Sequence, residues 1–266
     1  MKFSEYDPGE FYDELYEGKG QPRPGSTLLL RKFASLPEGE LKKRQEAAER
    51  VILNMGMTFG IHGSDDGHEQ IFPFDIVPRV VVASDWDRIE SGLQQRMRAL
   101  NLFIDDVYHD QKILKNGVIP SELIYSGKGF LLPCMGLNPP RGIWCHVAGI
   151  DLVRISDGQY YVLEDNTRCP SGVAYVLEAR QVMKRTFPEL FEAYRVRPVD
   201  GYPSQLLETL RSLSDLPDPT VVILTPGIFN SAYYEHSLLA HKMGVELVEA
   251  NDLAVVDGSV HMRTTK

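Results

Sequence analysis

Apolar residues recur at three- and four-residue steps along several stretches of the chain, and this spacing predicts amphipathic helices. The clearest of them begins at Ser84 and Asp85, which we expect to cap it, and ends at Gly117 and Pro120. A second helix is predicted over residues 38–55. Two shorter patterns of the same kind predict helices over residues 174–187 and 203–213.

Runs of β-branched residues predict strands elsewhere. Residues 76–83 form one such run, which we expect to be a buried strand or the lead-in to one. Two further runs flank Asp157-Gly158, a dipeptide that is the strongest short-range signal for a β-hairpin with a two-residue turn. The chain therefore combines predicted helices with predicted strands.

The end of the chain follows the pattern of a Rossmann-like βαβ unit. Residues 220–225 and 245–249 are short apolar strands, and a helical segment that reaches residue 243 separates them. A small hairpin around Asp257-Gly258 is predicted after the second strand. With the preceding elements, this unit predicts an α/β (α+β) fold.

Changes in composition suggest three domains. Residues 1–55 combine a Gly- and Pro-rich arm, extended on the surface over residues 18–25, with the first predicted helix. Residues 56–215 contain the long helix and the hairpin. A linker rich in Ser, Asp and Pro then leads to the βαβ unit, over residues 218–266.

Composition restricts the class of protein. Of the 266 residues, 43% are hydrophobic and 24% are charged, as in soluble globular proteins. The net charge of −9 argues against a nucleic-acid partner, because such proteins need clustered Lys and Arg. No apolar run is long enough to span a membrane and no signal peptide is recognisable, so we expect a cytoplasmic protein. The three cysteines lack C-x-x-C spacing, which predicts reduced, buried thiols.

The predicted hairpin brings acidic side chains together. A two-residue turn pairs Asp151 directly with Glu164 on the neighbouring strand. Because side chains alternate along a strand, Asn166 shares the face of Glu164, whereas Asp165 points to the other face. Two opposed carboxylates repel, and a cation between them removes the repulsion. Oxygen ligands of this kind suit Mg²⁺ or Mn²⁺, which predicts a metal site at Asp151, Glu164 and Asn166.

Other interpretations remain open at this point. A solvent-facing hairpin with two acids opposed by chance would hold no metal. The next segment favours a site, since Arg168, Ser171 and Gly172 add a cation, a hydroxyl and a glycine of the kind that bind phosphate or carboxylate groups. The two histidines of residues 62–69 could serve a metal-dependent hydrolase and Cys169 could be a nucleophile, although a solvated loop and a packed loop thiol are the favoured interpretations.

An Asp on one strand and a Glu-x-Asn on the next resemble the magnesium-binding signature of ATP-grasp ligases. The surrounding sequence, Gly-Ile-Asp-Leu-Val-Arg at 149–154 and Leu-Glu-Asp-Asn-Thr-Arg-Cys-Pro-Ser-Gly at 163–172, is similar to circularly permuted ATP-grasp proteins of the glutathionylspermidine synthase kind. Segments at 57–59, 74–79 and 92–101 agree with the same group. The resemblance covers essentially the whole chain.

The resemblance implies a ligase that uses ATP and Mg²⁺ (or Mn²⁺) to join a carboxylate to an amine through an acyl phosphate. It also implies roles for single residues. Asp151, Glu164 and Asn166 would be the metal ligands. Arg168, Ser171 and Gly172 would lie beside the phosphate or the substrate, and Arg168 and Arg180 would neutralise charge in catalysis. Many members have an Arg two residues before the first metal ligand, where this chain has Gly149.

The family order of segments also implies an expectation about length. The metal-binding half comes first, the Rossmann-like unit second and the half with the ATP-gripping lysines last, so we expect a truncated ATP-grasp fold with a partial pre-ATP-grasp unit. The implied substrates are a small-molecule or peptide-like carboxylate and an amine, and the implied partner is the missing C-terminal half or another subunit. The alternative is a non-catalytic or split-partner binding module, which would release no ADP.

Overall fold

The computed structural model describes residues 5–59, 70–155 and 158–265. These residues form two compact units. Unit 1 combines the described parts of Met1–Gly9, Asp13–Val80 and Ser171–Lys266, and unit 2 combines Glu10–Tyr12 with the described parts of Val81–Pro170. These cuts fall at other points than the predicted domain boundaries, which stay a prediction.

Helices and strands follow one another in small groups along the described residues. The helices are α1 (Thr27–Ser35), α2 (Glu40–Asn54), α3 (Ala83–Tyr108), α4 (Lys112–Lys115), α5 (Ser121–Tyr125), α6 (Val173–Thr186), α7 (Pro188–Tyr194), α8 (Tyr202–Arg211) and α9 (Tyr233–Met243). The strands are β1 (Tyr16–Gly18), β2 (Gln21–Pro22), β3 (Thr58–Phe59), β4 (Gln70–Ile71), β5 (Gly149–Arg154), β6 (Tyr160–Asn166), β7 (Val222–Leu224), β8 (Glu246–Val248), β9 (Leu253–Val256) and β10 (Ser259–Met262).

The hydrophobic core of unit 1 includes side chains from α1, α2, α6 and α7. Leu29 of α1, Ile52 of α2 and Phe187 between α6 and α7 are completely shielded from solvent. Burying a side chain of this size stabilises a fold by about 1.5–3 kcal/mol. The sequence analysis does not predict α1, because the helix follows directly on a Gly- and Pro-rich segment that favours an extended arm. Residues just beyond the predicted arm are therefore part of the core.

The βαβ unit at the end of the chain is confirmed. Strands β7 and β8 pair in parallel, from Val222 opposite Glu246 to Leu224 opposite Val248, and α9 lies between them in sequence. The final hairpin is confirmed as well. Strands β9 and β10 are antiparallel, and a two-residue turn at Asp257-Gly258 has the positive φ angles, +50° and +77°, that this dipeptide tolerates.

The long helix of unit 2 differs from the prediction at its ends. Helix α3 begins at Ala83 with Val82 as the residue before it, so Ser84 and Asp85 lie inside the first turn and do not cap it. The helix ends at Tyr108, and the shorter α4 and α5 follow. Within the described ranges, every helix is too short or too polar to cross a bilayer.

The strand predicted over residues 76–83 is wrong. The described backbone there is irregular until α3 begins at Ala83. Ile76 is buried in the core of unit 1, whereas Val81 is 43% and Val82 36% exposed. β-branched residues form a strand only where a neighbouring strand completes the hydrogen-bond ladder, and the described residues 76–82 pair with none.

Candidate metal centre

The hairpin of β5 and β6 in unit 2 carries the predicted metal ligands. The two strands are antiparallel, and Asp151 lies directly opposite Glu164, as predicted. Gly149 lies opposite Asn166 at the end of the same ladder. The register on which the metal prediction depends is therefore confirmed.

This register arises differently from the prediction. Near the turn, Leu152 pairs with Val162, where a two-residue turn would pair it with Leu163. The N–H of Ile155 donates to the carbonyl oxygen of Gln159 at 3.1 Å, so the strands near the turn are shifted by one residue from the predicted register. Asp157, the first residue of the predicted two-residue turn, lies outside the described residues. A β-bulge at Leu163 then shifts the register back by one residue.

The bulge determines which side chains share a face. Asp151, Glu164 and Asn166 are exposed, and Asp165 is partly buried on the other side of the strand. Strict alternation from the partly buried Val162 would place Glu164 on the covered face. The extra residue therefore turns the two predicted ligands of β6 toward the face that carries Asp151.

The donor set on this face suits a hard divalent cation. The amide Nδ2 of Asn166 donates to Oε1 of Glu164 at 3.0 Å, which directs the amide oxygen away from that contact. Two carboxylates and an amide oxygen on an open face match the preference of Mg²⁺, which keeps water or phosphate at its other positions. The described ranges contain no cluster of three or more His, Cys, Asp or Glu with metal-binding geometry, and the histidine-rich segment 62–69 lies outside them.

Helix α3 holds the covered side of the hairpin through a bidentate ion pair. Arg96 donates from Nε to Oδ1 of Asp165 at 2.7 Å and from Nη2 to Oδ2 at 2.5 Å. Hydrogen bonding to Arg96 and the charge of its guanidinium lower the pKa of Asp165. No role for Arg96 was deduced from the sequence. The available signal was that an acid on a covered face needs a cationic partner.

A second residue of α3 fixes the segment that leads into β5. The side-chain oxygen of Asn101 accepts hydrogen bonds from the backbone N–H groups of Trp144 and Cys145, both at 2.9 Å. Its Nδ2 donates to the carbonyl oxygens of Cys145 at 3.1 Å and Met97 at 3.0 Å. A short amide side chain with both ends engaged has no rotational freedom, so β5 enters the hairpin in one position.

The turn end of the hairpin is tied to the start of the same helix. Arg154 of β5 donates from Nη2 to Asp85 at 2.9 Å. Its guanidinium also lies 4.0 Å from the ring centre of Tyr12 and 4.6 Å from that of Tyr160. Helix α3 therefore contacts the hairpin region at Asp85, Arg96 and Asn101.

Gly149, two residues before the predicted metal ligand Asp151, lies close to Pro170. A Cβ atom on Gly149 would lie 2.9 Å from Cβ of Pro170, a distance that requires the proline to move. A side chain as large as arginine therefore has no room there. The glycine at this position is therefore compatible with the packing of Pro170, and the arginine of the family pattern is not.

The loop after β6 exposes the next two candidates. Arg168 is exposed, and so is Cys169, whose φ of +49° is unusual for a residue with a side chain. The prediction of buried thiols is wrong for Cys169 and confirmed for Cys145, whose pKa is raised by burial. Cys134 is partly buried, and all three thiols are free.

The remaining candidates belong to unit 1, at and within α6. The N–H of Gly172 donates to both carboxylate oxygens of Glu235, at 2.9 and 2.7 Å, and that of Ala174 donates to one of them at 2.9 Å. An anion bound by Gly172 would compete with Glu235. Ser171 is exposed. Arg180 donates to the carbonyl oxygen of Arg197, a contact internal to the unit.

Comparison with known proteins decides the family. Residues 78–266 match the model of the circularly permuted ATP-grasp type 2 family. The chain belongs to that family. The resemblance carried by the Asp and Glu-x-Asn segments is thereby confirmed, and so is the mixed helix and strand fold.

Individual relatives extend this result. An uncharacterized protein of Synechocystis is 52% identical over 100% of this chain and 56% of its own length, and one of Mycobacterium tuberculosis is 48% identical over 96% and 46%. A protein of Frankia casuarinae named as a candidate glutamate–cysteine ligase is 39% identical over 95% of this chain and 29% of its own length. The chain thus spans about half the length of the first two relatives.

A solved structure shares the fold. A glutathione synthetase-like effector of Globodera pallida, in its apo form, superposes with a TM-score of 0.55. It covers 86% of this chain and 56% of its own, with 15% sequence identity. At that identity the match establishes the fold alone.

Proposed function

We propose that this chain supplies the metal-binding half of an ATP- and Mg²⁺-dependent carboxylate–amine ligase. The observation that carries the proposal is the opposition of Asp151 and Glu164, with Asn166 beside them, on an exposed face of a hairpin in an ATP-grasp protein. Two opposed carboxylates without a cation destabilise a hairpin, so their placement supports a site for one.

Asp151, Glu164 and Asn166 would hold Mg²⁺ at this face, and the bound ion would supply positive charge to neutralise the ATP phosphates. In the proposed reaction, an oxygen of the substrate carboxylate forms a bond to the γ-phosphorus as the bond to ADP breaks. The amine nitrogen then attacks the acyl carbon, loses a proton and displaces phosphate, which leaves an amide. The residues of this chain position these groups and balance their charge.

Arg168 is the proposed cation beside the transferred phosphate, since it is exposed two residues after Asn166. Ser171 and Gly172 remain proposed phosphate or substrate contacts, although Gly172 already donates to Glu235. For Arg180 the observed contact with the carbonyl oxygen of Arg197 favours a structural role over a catalytic one.

The proposed substrates are a small-molecule or peptide-like carboxylate and an amine. The names of a ligase from Frankia and of a glutathione synthetase-like effector are consistent with this class. Because the Frankia match spans 29% of that protein, its name assigns neither glutamate nor cysteine to this chain.

The test, made on the complete enzyme that contains this chain, is Mg²⁺-dependent release of ADP from ATP in the presence of a mixture of amino acids and short peptides. We expect turnover that Glu164→Gln abolishes while the fold is retained, because the substitution removes one ligand charge from an exposed side chain. Glu122→Gln, at an exposed glutamate of α5 in the same unit, is the matched control and keeps full turnover.

Two results would change the proposal. Full turnover in Glu164→Gln would refute the metal role of that residue. Mn²⁺ binding that depends on Glu164, without any release of ADP, would favour the alternative of a binding module that needs a partner for catalysis.

A further inference from the structure

The bulge at Leu163 requires a cause. The Leu163 side chain is 72% exposed, so its burial does not hold the bulge in place. A regular hairpin that continued the pairing of Leu152 with Val162 would put Leu163 opposite Asp151. That regular register differs from the observed one by a single residue and would keep the ladder uninterrupted.

A slip into the regular register would dismantle the candidate metal centre. A one-residue slip exchanges the two faces of a strand. Glu164 and Asn166 would then turn to the covered side, and Asp165 would turn to the exposed side next to Asp151. Two of the three proposed ligands would leave the site, so the site depends on whatever favours the bulged register.

The ion pair of Arg96 with Asp165 meets this requirement. Asp165 stands between the two ligands in sequence, and its side chain is only 17% exposed on the covered side. Arg96 binds both of its carboxylate oxygens from the middle of the 26-residue helix α3. A bidentate contact sets the direction of the carboxylate as well as its distance, and only the bulged register points Asp165 toward Arg96.

We infer that Arg96 is a positioning residue whose ion pair with Asp165 holds the bulge at Leu163 and so keeps Glu164 and Asn166 beside Asp151. The inference rests on the proposed function, since it takes these three side chains as metal ligands. It adds a residue outside the ligand set, on another element, that selects between two registers of the hairpin.

The test compares Arg96→Ala with the charge swap R96D/D165R in this chain. The affinity for Mn²⁺ is measured by electron paramagnetic resonance, and the interstrand contacts of Asp151 are measured by NMR without metal. In Arg96→Ala we expect about a tenfold loss of Mn²⁺ affinity, as for other residues that orient metal ligands. We also expect Asp151 to exchange its contacts with Glu164 for contacts with Leu163.

The charge swap restores the pair with opposite polarity, so Mn²⁺ affinity and the contacts of Asp151 return to near wild type. Arg98→Ala is the matched control, because it removes an exposed arginine from the same helix and should leave both readouts unchanged. Circular dichroism verifies that each variant is folded.

Three results would overturn the inference. Tighter Mn²⁺ binding by Arg96→Ala would indicate a purely electrostatic effect, because removing a cation favours binding of another. Unchanged contacts between Asp151 and Glu164, or a loss that the charge swap does not restore, would exclude control of the register.

A different result would refute the metal centre. If wild type and Glu164→Gln bind Mn²⁺ equally weakly, the proposed ligands do not hold the ion, while the NMR contacts still decide the role of Arg96.

Discussion

Replacing Glu235 by alanine tests how unit 1 holds the start of α6. The Glu235 side chain comes from α9, the residue is 4% exposed, and its carboxylate accepts hydrogen bonds from the backbone N–H groups of Gly172 and Ala174. These groups lie at the first turn of a 14-residue helix, where N–H groups have no partner within the helix and the helix dipole favours a negative charge.

The magnitude follows from these contacts. Each hydrogen bond to a charged group contributes about 1.5–3 kcal/mol, and a buried donor left unpaired costs a similar amount. With two N–H groups affected, we expect Glu235→Ala to lower the free energy of unfolding by about 3–4 kcal/mol. Glu235→Gln keeps an acceptor oxygen but loses the charge, so its loss should be about 1–2 kcal/mol.

Urea denaturation measures the loss, and hydrogen–deuterium exchange of the Gly172 and Ala174 amides locates it. Glu192→Ala removes an exposed glutamate of α7 in the same unit and should change stability by less than about 0.5 kcal/mol. A loss below about 1 kcal/mol in Glu235→Ala, or unchanged protection of the two amides, would refute the capping role.

Four further substitutions have definite expected outcomes. Gly149→Ala places a Cβ 2.9 Å from Pro170, so urea denaturation should show a free energy of unfolding lower by about 1–3 kcal/mol. Gly92→Ala, with open space in α3, should raise the free energy of unfolding by about 0.5–1 kcal/mol. Phe187→Ala empties a fully buried position and should lower thermal stability, at a cost of about 3–5 kcal/mol. Tyr234→Phe should remove part of the alkaline destabilisation, because burial and then Glu178 raise the pKa of Tyr234 to about 12.

The sign of the Tyr234 effect follows from its protonated form. The protonated Tyr234 side chain contributes its full share of the free energy of unfolding below about pH 10, the pKa of tyrosine in the unfolded chain. This contribution is lost as the pH rises through 12, the pKa in the folded protein. Because solvent screens the partly exposed ring, the expected difference between wild type and Tyr234→Phe is about 1 kcal/mol. Parallel stability curves of wild type and Tyr234→Phe from pH 10 to 12 would contradict this expectation. For the glycine substitutions, equal stability of Gly149→Ala and Gly92→Ala would contradict the packing against Pro170.

Two hairpins with the same dipeptide show what local sequence can and cannot predict. Asp257-Gly258 forms the two-residue turn that its sequence favours. Beside the other Asp-Gly pair the strands are shifted by one residue from the predicted register, the Gly158 carbonyl accepts a hydrogen bond from Arg154 at 3.0 Å, and a Cβ on Gly158 would lie 2.9 Å from Tyr12. The contact with Tyr12, which is distant in sequence, is not encoded in the local sequence around Gly158.

The prediction that Asp151 faces Glu164 was right because two errors cancelled. Near the turn the register differs by one residue from the predicted one, and the bulge at Leu163 compensates. A bulge has no reliable local pattern, since its position depends on what each face of the strand contacts. Here the contact is Arg96 on the covered side, which is 69 residues away in sequence from Asp165.

The type of element, helix or strand, was predicted best where a helical pattern of apolar residues continued over many residues or where a strong turn signal was present. Helix α3 and the βαβ unit fall in this class. Helix α1 does not, because its nine residues gain their stability from burying Leu29 and Phe33 in the core of unit 1. Tertiary packing also decides against a strand at residues 76–82, where the β-branched run meets no partner strand within the described residues.

Locating a bound cation tests the central claim most directly. Crystals of the protein soaked with Mn²⁺ and measured near the manganese absorption edge would show the ion in an anomalous difference map. We predict a peak on the exposed face of the β5–β6 hairpin, within coordination distance of oxygen atoms from Asp151, Glu164 and Asn166. A peak at other residues only, or none at Mn²⁺ concentrations that saturate binding in solution, would contradict a metal centre on this hairpin.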